Sequence, residues 1–321
     1  MFKSFKILNK FRLEFSVSIV LLVLWLIFVI GSPRTFLHYN IYSSFMSTIP
    51  IAAIMAVALT LVVITGEIDM SFPSIMGLAG WVFSVIFNAT QNIYLAFFVC
   101  LVVGIITGYL NGIIVVKLGI PSLIATIGTM YLWRGLVMIL SNGAGLSLVT
   151  AKGTVLKSLL VGRIGGRVPV QIIWAVAIAV ILWLFLDRHR FGSHIYFVGD
   201  NIKSAKMMGV EVNAVKITSF AILGFFSAFA AVISSLEVTY YWPVLGEGYL
   251  LPVVSAVFIG GTSVFGGAGT IYGTFIGALI VGTLEAGIIT MGLQGLWTQF
   301  FYGLIIVISL AIHSQARRKL T

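Results

Sequence analysis

DRHRFGSHIYFVGDNIKSAKMMGVEVNAVK, residues 187–216, is the longest polar insert between apolar segments that also carries a compact helical pattern. The uncharged run 170–186 precedes it and the uncharged run 217–236 follows it. Runs of that length match the hydrocarbon thickness of a bilayer, so the insert lies in water at a membrane surface. Within it, Asp200, Asn201 and Ser204 are helix-starting residue types, Ala205, Met207 and Met208 favour helix, and Gly209 is a natural stop. The pattern predicts a helix of about two turns over 201–208. Ala205 and Met208 are its expected exposed apolar residues, suited to a groove on another protein. A solvated loop that merely joins two spans is the alternative.

Working outward, the composition repeats the same message. Of 321 residues, 60% are hydrophobic and 9% charged, against roughly 25% charged in an average soluble domain. Such a chain cannot hide its apolar surface in one aqueous core. The apolar runs 17–30, 45–65, 73–87, 93–116, 122–140, 170–186, 217–236, 250–265, 272–289 and 296–312 predict an all-α polytopic membrane protein. It is read as a single transmembrane domain, 1–321, of about ten spans. The basic start of the chain followed by run 17–30 is similar to a signal peptide, but Gly31, Ser32 and Pro33 offer no small-x-small cleavage site. That run is therefore read as an uncleaved first span.

An even span count puts both termini on one side, and charge identifies the side. Lys3, Lys6, Lys10, Arg12, Lys117, Arg188, Arg190, Lys203, Lys206, Lys216, Arg317, Arg318 and Lys319 share it, against Arg34, Lys152, Lys157, Arg163 and Arg167 opposite. Basic residues accumulate on cytoplasmic loops, so both termini and residues 187–216 are expected in the cytoplasm, and the polar segment 141–169 outside. The net charge of +10 is thus a topology signal and not a nucleic-acid face. Lone Cys100, inside an apolar run, excludes an intramolecular disulfide.

Three features stand out inside the apolar pattern. The break TGEIDMSFPS, residues 65–74, places Glu67 and Asp69 beside a span. A carboxylate at the bilayer centre costs about 2.5 to 3.5 kcal/mol, so both belong at an interface or in a water-filled cavity, or Asp69 or Ser71 caps the span that Pro73 opens. IGGTSVFGGAGTIYG, residues 259–273, carries six glycines and suits either close helix contacts or a broken helix. Isolated polar residues within or beside spans are Asn111, Thr126, Thr129, Arg134, Glu285 and Gln294. No glycine precedes a lysine, so a phosphate-gripping GxxxxGK[ST] loop is absent. The four histidines have no metal-ligand spacing and no GxSxG elbow occurs, leaving no expected catalytic, metal or cofactor-binding residue.

Four motifs in order resemble the permease subunits of bacterial ATP-driven (ABC) importers of ribose, xylose, arabinose and autoinducer-2. TGEIDMSFPS is similar to TGGIDLSVGS through Thr65, Gly66, Ile68, Asp69, Ser71 and Ser74, departing at Glu67, Phe72 and Pro73. Gly108, Leu110, Asn111, Gly112, Val115, Pro121, Ile124, Thr126, Gly128 and Thr129 match GxLNGxxVxxxxxPxxIxTxGT. Gly199, Asn201, Ser204, Ala205, Gly209 and Val210 match the cytoplasmic-loop pattern, and GGTSVFGGAGTIYGTFIGAL matches the fourth.

The resemblance implies a bacterial inner-membrane pore of two permeases, this chain with a second copy or a homologue, surrounded by lipid. A cytoplasmic ATPase would bind ATP and Mg, and an extracytoplasmic sugar-binding protein would deliver solute. It implies an ATPase-coupling element of Asp200, Asn201, Ser204, Ala205, Met208 and Gly209. The candidate translocation pathway comprises Asp69, Ser71, Phe72, Asn111, Thr126 and Thr129. An ion-coupled secondary transporter with Glu285 or Asp69 as relay is the competing class.

Overall fold

The computed structural model describes residues 2–290 and 295–318, so Gln294 and Lys319 lie outside the described residues. The chain runs α1 (Phe2–Gly31), α2 (Pro33–Phe36), α3 (Tyr39–Ile64), α4 (Phe72–Thr90), α5 (Ile93–Lys117) and α6 (Ser122–Ser141). A small excursion follows: β1 (Leu146–Ser147), α7 (Val155–Val161), β2 (Arg163–Ile164) and β3 (Val168–Pro169). Then come α8 (Val170–Arg188), α9 (Arg190–Asp200), α10 (Ile202–Met207) and α11 (Val212–Val238). The last stretch holds β4 (Tyr240–Tyr241), α12 (Leu250–Ile259), α13 (Ile271–Thr290) and α14 (Leu296–Arg318).

Among the described residues, 8 helices are long and apolar enough to cross a membrane: α1, α3 to α6, α8, α11 and α13. Two shorter apolar helices, Glu247–Ile259 and Leu296–Ile308, fall where two further spans were expected. The all-α membrane architecture thus stands, with one change of kind at run 250–265. Helix α12 covers only its first part, about 15 Å at 1.5 Å per residue, half of a hydrocarbon core. Gly260 and Gly261 close it, and Gly266 and Gly267 at φ +80 and +74 turn the chain into α13. The rest of the crossing is the turn-rich stretch 242–246 and a single 3-10 turn, Glu247–Tyr249, which lead from β4 to the helix.

The order of burial explains the packing. Helix α3 is apolar on every side and buried from Ile51 almost without interruption to Ile64, so it forms the axis of the bundle. Helices α8, α11, α12 and α13 pack around it, α4 packs on α5, α11 and α6, and α6 keeps most of its surface outward. Helices α5 and α11 approach closely because Gly104, Gly108 and Gly112 recur every four residues. A Cβ at any of them would collide with Gly224, Phe220 or Ile217 of α11. At one end of the bundle β1 pairs with β4, Leu146 opposite Tyr241. The other end carries α9 and α10 and is called the inner end, following the charge bias.

Candidate coupling site at the inner end

Residues 187–216 fold into two helices where one was expected. In α9, Ile195 and Val198 are buried while Phe197 faces out. The His189 side chain caps it by accepting a hydrogen bond from the Phe191 N–H, and its ring stacks on Phe185. Helix α10 begins where expected, because Asn201 Oδ1 accepts from Ser204 N–H at 3.0 Å. It ends at Met208, and Gly209 follows at φ +77.

Beneath α10 three pieces of chain meet. Gly199 lies so close to the Ile64 carbonyl that a side chain there would overlap it. Gly267 N–H donates to that same carbonyl at 2.9 Å. Gly266 lies against Gly66 and Gly199, Gly267 lies against Asp200, and the Tyr196 hydroxyl donates to the Gly269 carbonyl at 2.8 Å. At Gly199, Ile64 and Gly267 the end of α9, the end of α3 and the turn between α12 and α13 are therefore in direct backbone contact. Lys216, in the first turns of α11, forms an ion pair with Glu67. That pair ties the same junction to α11.

Next to the junction, residues 65–71 form a polar knot. Ser71 N–H and Oγ both donate to Asp69 Oδ1 at 2.6 Å. Asn111 Nδ2 donates to Ser71 Oγ at 2.5 Å, and Trp133 Nε1 donates to Asn111 Oδ1 at 3.2 Å. Ile68 and Met70 N–H groups donate to Ser122 Oγ and Thr126 Oγ1. The knot thus sews the break between α3 and α4 onto α5 and the start of α6. Asp69 Oδ2 is buried and has no partner among the described residues. Burial pushes the Asp69 carboxyl up to about 6, against the opposing pull of its bonds from Ser71 and Asn111.

A family model described as the permease component of a branched-chain amino acid transport system matches residues 41–310. The chain belongs to this permease family. The ribose import permease protein RbsC of Escherichia coli strain K12 is 33% identical over 299 residues, 92% of each chain. The autoinducer 2 import system permease protein LsrC of Yersinia pseudotuberculosis strain YPIII is 30% identical over 274 residues, 85% of this chain and 77% of that one. No solved structure matches.

In this permease the expected coupling residues Asp200, Asn201, Ser204, Ala205, Met208 and Gly209 do lie together on or beside α10, with one correction. Ala205 is fully buried, because its side of the helix packs inward and its carbonyl accepts from Met208 and Val210 N–H groups. The exposed apolar residues are Met207 at 82%, Met208 at 57% and Ile202. Of the capping and turn chemistry expected at Asp69 and Ser71, the turn is found: Asp69 Oδ1 accepts from Ser71 N–H two residues on, an Asx-type turn, and the Ser71 side chain makes no cap bond.

The six candidate pathway residues divide differently from expectation. Asp69, Ser71, Asn111 and Thr126 share the polar knot, Thr129 bonds back to the Thr126 carbonyl, and Phe72 is fully buried at the start of α4. All six are buried within this chain.

Two pairs escaped sequence reasoning altogether. Glu67 and Lys216 are 149 positions apart, with no local pattern to connect them. The other is Arg134 with Glu247, whose atoms approach to 3.6 Å.

Proposed function

We propose that this permease is the membrane-spanning part of an ATP-driven, binding-protein-dependent importer of a monosaccharide or related polyol. Its place is the bacterial inner membrane, with α10 in the cytoplasm. A separate ATPase binds ATP and Mg and docks on Met207, Met208 and Ile202. A second permease, a copy or a homologue, completes the pore, and an extracytoplasmic binding protein delivers solute. Likeness to a ribose import permease over nearly the whole chain supports the solute class.

The observation that carries the reading is the backbone junction of Gly199, Ile64 and Gly267. A displacement of α9 and α10 has no compressible side chain to absorb it, so it reaches α3 and the turn before α13 directly. Both elements run through the bundle. Alternating access then follows as a rigid-body rearrangement whose energy comes from the partner.

Gly209→Val tests the coupling. A β-branched residue at φ +77 is strained, so the exit from α10 must change shape while the transmembrane helices stay intact. The expected outcome in proteoliposomes is normal insertion and assembly, continued ATP hydrolysis, and uptake reduced at least about tenfold. Normal solute-stimulated transport in the variant would count against the coupling role. Uptake by the permease alone under an ion gradient, unaffected by ATP removal, would favour the ion-coupled class instead.

A further inference from the structure

Arg134 projects from α6 about 18 Å along the axis from Ser122 and about 10 Å from Ser141. From the inner side, α12 lifts Leu250 about 14 Å above Ile259. Both measures put the segment 243–249 near mid-depth of the bundle. There the Arg134 guanidinium donates to the Pro243 carbonyl at 2.6 Å, the Leu245 carbonyl at 3.0 Å and the Pro73 carbonyl at 3.2 Å. Gly77 leaves the room for it, since a Cβ at that position would sit 2.7 Å from Nη1. Gly246, at φ +97, lies against Pro73 where no side chain fits.

Glu247 stands beside this anchored backbone and is treated differently by the fold. Its carboxylate is 3.6 Å from Arg134 Nε, too long for a hydrogen bond, and its side chain is 56% exposed. Arg134 therefore orients Glu247 electrostatically through Nε, while its Nη groups make three hydrogen bonds to backbone carbonyls. The carboxylate keeps acceptor positions for something else. A carboxylate turned toward hydrocarbon at this depth is strongly disfavoured, so its open side faces water or a polar ligand.

Resting on the importer reading, we infer that Glu247 is a solute-contacting residue at mid-membrane, a hydroxyl acceptor for neutral polyhydroxylated solutes, with Arg134 as its positioning residue. An acceptor-only group suits hydroxyl donors and repels anions. The pathway wall is then the 243–249 segment, in place of the buried Asp69, Ser71 and Phe72.

The test uses the complete complex in proteoliposomes, with D-ribose as the probe. Glu247→Cys is the first variant, because the native thiol, Cys100, is fully buried. A hydrophilic thiol reagent is expected to label Glu247→Cys, and labelling is expected to slow at least about threefold during turnover with ATP and ribose-loaded binding protein. Glu247→Gln is expected to lower ribose uptake at least about tenfold with the half-saturating ribose concentration unchanged, since the binding protein sets it. No labelling, or labelling indifferent to ribose, would overturn the assignment, as would undiminished uptake by Glu247→Gln. If the unsubstituted complex shows no ATP-driven uptake of ribose or of any other monosaccharide or polyol offered with its binding protein, the importer reading itself fails and takes this inference with it.

Discussion

Asp69 illustrates how one side chain reports on its surroundings. One oxygen gathers the Ser71 backbone and hydroxyl, while the other is buried without a partner among the described residues. Loss of water outweighs those bonds, and the carboxyl holds its proton up to about 6 instead of the usual 3.8. The folded chain thus binds this proton more tightly than the unfolded chain does. The resulting contribution to stability is fully present below about pH 4 and fades as pH rises through about 6. Thermal unfolding of the detergent-purified permease followed at about pH 5 and about pH 7 should show a drop on raising pH. Asp69→Asn should flatten that part of the profile, and an unchanged slope in the variant would show that other groups dominate.

At the scale of elements, the crossing of α5 and α11 is governed by glycines spaced four apart. Gly108→Leu forces a side chain into the Phe220 backbone, and overpacking of this kind costs about 1 to 3 kcal/mol or more. The variant should unfold at clearly lower temperature, whereas Gly128→Ala on α6, where a Cβ meets open space, should leave the midpoint nearly unchanged. Equal midpoints for both would contradict the close packing described for α5 and α11. The long apolar runs made these helices legible, and Asn201 with Gly209 marked the ends of α10.

Other elements were hidden for physical reasons. Hydropathy carried the eighth run on to Phe265, but Gly260 and Gly261 ended its helix because backbone conformation, unlike apolar character, changes there. Helix α9 had its signal in Ile195 and Val198, buried positions three apart, yet flanking charge disguised it. The facing of Ala205 could not be read from a helix this short, since two turns define no unambiguous apolar stripe. Ion pairs between distant segments, such as Glu67 with Lys216, arise from tertiary folding alone.

For the whole molecule, the inner end offers an outward patch of Met207, Met208 and Ile202 flanked by Lys203 and Lys206. Met207→Asp places a charge in the centre of that patch without disturbing a buried contact. Co-purification with the partner ATPase should fall about tenfold or more, roughly 1.4 kcal/mol, while the permease alone keeps its thermal midpoint. Retained co-purification would move the docking face elsewhere.

Every full-length helix moves only by breaking apolar contacts along its length. The segment between β4 and α12 is held by the Arg134 guanidinium at Pro243 and Leu245, by the buried Leu245 side chain and by the close fit of Gly246 on Pro73. Rotating the Arg134 side chain away would break its bonds to this segment and to Pro73 at the start of α4 together. A tilt of α6, which carries the guanidinium, would therefore pull at once on the Pro243 and Leu245 carbonyls, on Pro73 of α4 and on the neighbouring Glu247.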